Sequence, residues 1–444
     1  MICSTFKTKK QSTEKITTPT NAEISTSYTY EDFDNSQQTG NRIKSINTPI
    51  GVAAYVYDSD GRVSGSELSG TNFSTGTMHQ YDSLGRLIRD YASGPWWYYY
   101  DDSGNITRKW DMADRDISYE YTDSEWGDLL TKYDGTVISY GVLGNPLNWR
   151  NGMSFTWEHE KRLSEIAQNG TQTASYTYDS AGLRSSKTVG GKTVTFEYVN
   201  NKLVYQTDGT NVWWFCYDTD GALTALEYNG EIYYYVHDGI GNIIGLVDKN
   251  GSVAARYRYD GWGNIEGIIG INGSFDDVSA DPTHIANINP FRYKDYYYDS
   301  ESEFYYLITR YYDPFVGRFL SADSVMAGVG TDVNGYNLFA YCFNNPVNMS
   351  DSSGHWPQWI KDAANWVNNN IIQPVANFFN PSTNTISGQF QDGIFRGSGS
   401  LTGGYSEING RLQVNSKDSK NNGMMGGICE SLNWKCVWKD WYWK

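Results

Sequence analysis

The residues whose types and spacing best suit chemistry are short acidic runs around a glycine. Asp58, Asp60, Gly61 and Glu67 match part of the calcium loop of helix–loop–helix sites, and so do Asp218, Asp220, Gly221 and Glu227. Such a loop needs an oxygen ligand at its first position and helices on both sides. The first position here is Val56 or Cys216. The flanking residues alternate as strands do, so the acidic runs read as turns. The five cysteines, Cys3, Cys216, Cys342, Cys429 and Cys436, form no Cys-x-x-Cys and have no histidine at a zinc spacing. Neither a disulfide framework nor a metal site follows from them, and no cofactor is called for.

These acidic turns recur. Tyr57-Asp58 leads to Gly61-Arg62-Val63, Tyr81-Asp82 to Gly85-Arg86-Leu87, and Tyr100-Asp101 to Gly104-Asn105-Ile106. Tyr178-Asp179, Tyr217-Asp218 and Tyr259-Asp260 continue the series, with degenerate copies between them, and the period is about 20 residues. Ala174, Tyr176 and Tyr178 point one way and Ser175 and Thr177 the other, the pattern of a half-buried strand. The Asp accepts hydrogen bonds from amides ahead of it, and the Gly supplies the left-handed turn conformation. Each unit is therefore a hairpin too small to bury its own face, and stacked units share one long curved sheet.

Composition agrees. Of 444 residues, 36 are Tyr, 16 Trp and 45 Gly, against only 8 Met, which disfavours a helical bundle or a Leu-cored α/β enzyme. The first 355 residues carry 27 Lys+Arg against 45 Asp+Glu, net −18, which repels phosphate backbones and argues against nucleic-acid binding by this part. No apolar run approaches the ~18 residues of a transmembrane helix. Lys7, Lys9 and Lys10 are not followed by the apolar stretch of a signal peptide.

The repeats are similar to YD repeats, and Asn289–Gly354 resembles the Rhs repeat-associated core. The residues that carry this are Asn289-Pro290-Phe291-Arg292-Tyr293, Phe304-Tyr305-Tyr306-Leu307 and Arg310-Tyr311-Tyr312-Asp313-Pro314. Gly317-Arg318-Phe319-Leu320-Ser321, Asn337-Leu338-Phe339-Ala340-Tyr341 and Asn344-Asn345-Pro346-Val347-Asn348 follow in order. The chain thus resembles bacterial Rhs and wall-associated polymorphic toxins and, more distantly, the teneurin YD shell. The resemblance implies an all-β fold, a hairpin array spiralling into a partial or complete hollow shell, with a core segment that plugs one end. It divides the chain into a polar lead (1–47), YD repeats (48–265), a core (266–355) and a variable tail (356–444). With only ten or eleven repeats, the chain is expected to be the C-terminal portion of a longer ancestor.

The resemblance also implies a site. In Rhs-type proteins two core Asp residues are associated with self-cleavage just beyond a terminal Asp-Pro-x-Gly. The matching residues are Asp323 and Asp351, with Arg318 as a group able to stabilise a carboxylate or an oxyanion. Two close carboxylates share one proton, so that one activates water while the other polarises the carbonyl. Ser324 and Ser352 stand where the family has Pro. The alternative is that both Asp residues serve only as turn or cap residues of a non-cleaving core. Tyr296, Tyr297, Tyr298, Tyr305, Tyr306, Tyr311 and Tyr312 are read as packing, with a sugar-binding platform as the second reading.

In the tail, Trp356, Trp359, Ile360, Ala363, Trp366 and Val367 recur at three and four, an amphipathic helix to about Asn370. Residues 388–427 hold 10 Gly and read as a Gly-rich hairpin region or a flexible segment, followed by Trp434, Trp438 and Trp441 at helical spacing. The tail is thus expected to be mostly helical and Gly-rich. No His follows His355, and no zinc-deaminase signature is present. The leading expectation is a non-enzymatic shell, extracellular or at the cell surface, with the tail as cargo and an immunity protein as partner, in competition between cells. The alternatives are a self-cleaving aspartyl core that releases a toxin, and a module that binds a cell-surface glycan.

Overall fold

The computed structural model describes residues 13–32, 39–70, 73–92, 94–271, 275–323 and 337–355, and in the tail 386–390, 397–408, 411–418, 424–429 and 436–437. The chain forms two compact units, Met1–Gln358 and Trp359–Lys444.

The first unit is built from hairpins. Twelve strands between Thr13 and Val137 form one antiparallel sheet, and thirteen between Met153 and Asp277 form a second, each strand pairing with its sequence neighbours. The recurring turn explains the order. At Asp58 the amide donates to the Arg62 carbonyl, 2.9 Å, while Oδ1 accepts from the Asp60 and Arg62 amides. Gly61 closes the turn at φ +85°, where a Cβ is costly. Asp82, Asp101, Asp179, Asp238 and Asp260 repeat the pattern. Two copies escape the sequence motif. At Asp111–Arg115 the glycine is replaced by Asp114, which itself adopts φ 60°, and at Asp248–Ser252 no tyrosine precedes the Asp.

The tyrosine joins one repeat to the previous one. The Tyr57 hydroxyl donates to the Ile43 carbonyl, Tyr81 to Val63, Tyr100 to Leu87 and Tyr259 to Ile243, at 2.6–2.9 Å. The previous repeat's arginine then lies over the same ring, Arg62 over Tyr81 at 4.9 Å and Arg86 over Tyr100 at 4.6 Å. Residues 13–47 are more than a lead. Thr13–Thr17, Glu23–Asp32 and Thr39–Asn47 are strands of the first sheet, made by Ser/Thr/Ile alternation without the Tyr-Asp turn.

The core segment packs against the inward faces of both sheets. Its short strands, Tyr297–Asp299, Phe304–Tyr306, Tyr311–Asp313 and Arg318–Phe319, form a four-stranded sheet. Tyr296, Tyr297, Tyr305, Tyr306, Tyr311 and Tyr312 are buried in one continuous apolar cluster with residues of both large sheets. That burial removes these six as a sugar platform. Buried ion pairs tie the segment in, Arg184 Nη1 to Asp299 Oδ2 at 2.6 Å and Arg150 Nε to Asp313 Oδ2 at 2.7 Å. Each is costly to break, about 3–5 kcal/mol, because the remaining charge would stay buried.

A second apolar cluster lies on the opposite face of the second sheet. Ile24 of the first sheet and Ile50 of the turn before Val52 meet Tyr234, Val236, Ile244 and Val247 there, while Tyr235, Ile243 and Leu246 face the main core. The start of the array therefore overlaps its end. Strand Ile243–Asp248 is buried on both faces, which is why it reads Ile-Ile-Gly-Leu-Val without alternation. Gly245 allows the close approach, since a Cβ there would lie 2.3 Å from both the Ala255 carbonyl oxygen and Ile50 Cδ1. Thr20 Oγ1 donates to the Lys249 carbonyl and the Gly239 amide to the Tyr55 hydroxyl, both at 2.6 Å, across the same seam.

In the tail unit, Ile386–Phe390, Gly397–Ile408, Arg411–Asp418, Met424–Cys429 and Cys436–Val437 form a five-stranded antiparallel sheet in sequence order. The expected hairpins are present. The helical spacing of Trp434, Trp438 and Trp441 is interrupted by the strand at Cys436–Val437, so the described part of the tail is β rather than mostly helical. The amphipathic stretch 356–379 lies outside the described residues. Among the described residues no helix is long and apolar enough to cross a membrane.

Candidate functional site at the end of the core segment

Asp323 and Asp351 converge although 28 residues separate them. Asp323 follows the last core strand, and its amide donates to the Leu338 carbonyl at 2.9 Å. Asp351 follows the Asn344-Asn345-Pro346 turn, and its amide donates to the Tyr296 hydroxyl at 2.6 Å. Both residues are buried. One nitrogen, Arg310 Nη2, lies 2.9 Å from Asp323 Oδ2 and 3.6 Å from Asp351 Oδ2.

Arg310 holds more than the carboxylates. Its Nε donates to the Gly354 carbonyl and its Nη1 to the Leu338 carbonyl at 3.0 Å, and its guanidinium lies 3.5 Å from the Phe319 ring centroid. Burial pulls its pKa down from the ordinary arginine value, and the two carboxylates oppose that pull. Asp351 Oδ1 accepts from the amides of Ser353, Gly354 and His355 at 3.2, 2.9 and 3.2 Å. The side chain of Asp351 thus holds the turn that a proline at 352 would otherwise preset. Thr309 Oγ1 donates to the Ser353 carbonyl at 2.6 Å, and His355 Nδ1 lies 3.0 Å from Asp323 Oδ1. Lys161, from a hairpin turn of the second sheet, donates to the Ala322 carbonyl at 2.9 Å.

The arrangement polarises one peptide bond. The carbonyl of Gly354 faces a guanidinium, and the amide of His355 faces a carboxylate. Cys342 is buried beside this cluster, and burial, with Asp351 nearby, pushes its thiol well above the ordinary range.

Asp323 and Asp351, which the sequence reading named together, lie on either side of Arg310 Nη2, and Arg318, named with them, lies elsewhere. Arg318 donates to the Tyr121 hydroxyl at 2.8 Å and to the Asp128 carbonyl at 2.6 Å, and lies 4.9 Å from the Phe339 ring. The Gly-Arg-Phe segment aims it at the first sheet, whereas Arg310 directly precedes the buried strand Tyr311–Asp313 and lies next to both carboxylates. Arg310, His355 and Tyr296 were the residues sequence reasoning missed. The signal for Arg310 was its place before the buried Tyr311-Tyr312-Asp313 run. Ser324 lies outside the described residues.

Asp58 Oδ2 and Asp60 Oδ2 both bind Arg62, at 2.7 and 2.6 Å, and Asp218 Oδ1 accepts from the Ala222 amide at 2.8 Å.

Comparison with known proteins fits this architecture. A tRNA3(Ser)-specific nuclease WapA from Bacillus spizizenii is 32% identical over 276 residues, 60% of this chain and 11% of that protein. The tRNA nuclease WapA of Bacillus subtilis matches over the same extent at 32% identity. The chain spans about a tenth of the length of these relatives. Among solved structures, the crystal structure of TcdB2-TccC3-Cdc42 superposes with a TM-score of 0.57 at 19% identity, covering 75% of this chain and 18% of that one. The sequence profile of the teneurin YD-shell family matches residues 3–347. That span takes in both sheets and nearly all of the core segment packed between Asn289 and Val347, and it makes the chain a YD-repeat protein of the teneurin YD-shell family.

Proposed function

We propose that this protein is a toxin-associated shell that carries residues 356–444 as cargo, outside the cell or at its surface, in competition between cells. The observation that supports this most directly is the clamp on Asp351–His355. Arg310, Tyr296 and Thr309 fix the chain at the point where the variable tail leaves the core. The relatives named as tRNA nucleases match this chain over about a tenth of their length, so their nuclease activity does not travel with the match. Limited proteolysis of the whole chain with a C-terminal tag tests enclosure. The tag-proximal fragment should resist digestion until urea unfolds the shell; digestion at the same rate with and without urea would overturn the proposal.

A second reading, self-cleavage at Gly354–His355, is favoured by the polarised carbonyl. Water activated by a carboxylate of the Asp323–Asp351 pair would add to the Gly354 carbon, with Arg310 stabilising the oxyanion. The His355 nitrogen would take up a proton and leave as an amine. Intact mass of the purified chain, compared with Asp323→Asn and Asp351→Asn, decides it. Scission in the parent and loss in both variants is the expected result, and a parent that stays intact after prolonged incubation overturns this reading.

A further inference from the structure

Four charged side chains meet where the second sheet holds the core segment. Lys187 lies on strand Arg184–Val189 of the second sheet, and Asp299 ends the core strand Tyr297–Asp299, 112 residues further on. Lys187 Nζ lies 2.9 Å from Asp299 Oδ1 and 3.2 Å from Glu301 Oε2. The other Asp299 oxygen, Oδ2, takes Arg184 Nη1 at 2.6 Å, and the Tyr176 hydroxyl donates to Glu301 Oε1 at 3.1 Å. The cluster is nearly dry, with the side chains of Lys187, Asp299 and Glu301 12%, 0% and 9% exposed. Aromatic rings wall it. The Tyr297 ring centroid is 5.3 Å from Lys187 Nζ, and those of Phe196 and Tyr306 are 5.0 and 4.3 Å from the Arg184 guanidinium.

Arg184 alone supplies the ion pair that anchors Asp299. Lys187 adds an amine beside the same carboxyl group, and Glu301 adds a second carboxyl beside that amine. Burial opposes the charges, yet Arg184 and Lys187 hold the Asp299 carboxyl below its ordinary range, and Asp299 holds Lys187 above its own. Burial, with Asp299 close by, raises Glu301. The resting state is therefore an ion pair next to a carboxyl group suited to taking and returning a proton. Removal of water narrows the gap between the ion pair and the neutral acid and amine, since each buried charge loses its solvation.

We propose that Lys187 and Asp299 condense to an internal amide, a covalent tie between the second sheet and the core segment, with Glu301 as the proton carrier. One ammonium proton passes from Nζ to Asp299 Oδ1. The freed amine adds to Asp299 Cγ, and the electron pair displaced from the C=O bond moves onto Oδ2, opposite Arg184 Nη1. Glu301 Oε2 takes a second proton from the nitrogen and passes it to Oδ1. The Cγ–Oδ1 bond then breaks, Oδ1 leaves as water, and the pair on Oδ2 restores the carbonyl. Ammonium and carboxylate thus become one amide and one water, and no other reactant enters. The step uses none of the groups around Asp323 and Asp351 and does not rest on the cargo proposal.

Intact mass of the whole chain, measured in denaturant, tests it. The parent should be lighter than its sequence by one water. A tryptic digest should contain a branched ion that joins the peptide of Lys187 to that of Asp299. Both residues precede Gly354, so the deficit stays on one fragment whether or not the tail is cut. Lys187→Met should restore the full mass. Glu301→Gln should restore it too, with circular dichroism as in the parent, because the amide oxygen still accepts from Tyr176. A parent that keeps its full mass after prolonged incubation of the folded chain would overturn the proposal. So would a water loss that persists in Lys187→Met or Glu301→Gln, as a succinimide at an Asp-Gly step such as Asp208-Gly209 would give.

Discussion

The Arg318 guanidinium donates to the Tyr121 hydroxyl across 197 residues of chain, at 2.8 Å. In neighbouring repeats the ring of the turn tyrosine is covered by the arginine of the preceding turn, as Arg62 covers Tyr81 and Arg86 covers Tyr100. The turn that Tyr121 reaches, through the Ile106 carbonyl, is Asp101–Asn105, which has Asn105 at that position. The core segment supplies the missing cation, with Arg318 lying 5.3 Å from the Tyr121 ring centroid. Arg318 therefore stands where a repeat arginine would otherwise cover the Tyr121 ring.

Arg318→Met should destabilise the protein by about 2–4 kcal/mol, from a lost desolvated cation–π contact and an unpaired Asp128 carbonyl. Urea denaturation of the parent and variant measures it. The mass of any tail-cleavage product should be unchanged, because Arg318 does not contact the carboxylate pair.

Removing one inter-repeat tyrosine hydroxyl should cost about 1 kcal/mol. Tyr81→Phe, Tyr100→Phe and Tyr259→Phe each delete a bond of 2.6–2.9 Å to the preceding repeat. Tyr81 and Tyr259 lie in different sheets, and their double variant should show additive loss in the denaturation midpoint.

Stability should fall as pH rises from about 4 to 7. Burial, with Asp90 close by, raises the Asp260 carboxyl to about 7. In the unfolded chain the group ionises near its ordinary value, so across this window the folded state binds the extra proton. Stability that depends on that proton is present at low pH and lost as pH climbs through the folded value. The size is on the order of a few kcal/mol. Asp260→Asn keeps the acceptor for the Trp262 and Asn264 amides and should flatten the profile. Thermal melts at pH 4, 5.5 and 7 check this.

Gly245→Ala should force the seam apart, since its Cβ would overlap the Ala255 carbonyl and Ile50. A loss of about 1–3 kcal/mol is expected for such overpacking. Hydrogen exchange should report it, with faster exchange at strand Ile243–Asp248 and at the Ile50 turn together.

The hairpin array was legible because its determinants are local. Tyr57, Asp58 and Gly61 sit within five residues and build the turn by themselves. The carboxylate pair was legible only through resemblance, since Asp323 and Asp351 meet through Arg310 and not through sequence spacing. The overlap of the sheets was hidden because its partners, such as Ile50 and Gly245, lie nearly 200 residues apart. Its one sequence trace was the unbroken Ile243–Val247 run, the mark of a strand covered on two sides. The burial of Tyr305 and Tyr312 followed from the packing reading, which leaves Tyr298 as the half-buried member of the seven tyrosines.

The seam also sets a timetable for synthesis. Thr20 and its partner Lys249 are 229 residues apart. At roughly 5–20 residues per second, the ribosome needs on the order of ten to fifty seconds between them. Throughout that interval Ile24 and Ile50 are on a nascent chain whose covering layer does not yet exist. The amino-terminal strands must therefore wait, paired only with one another, until the last repeats emerge to cap them. A chaperone that shields these strands during translation should raise the yield of folded protein more than one added after release.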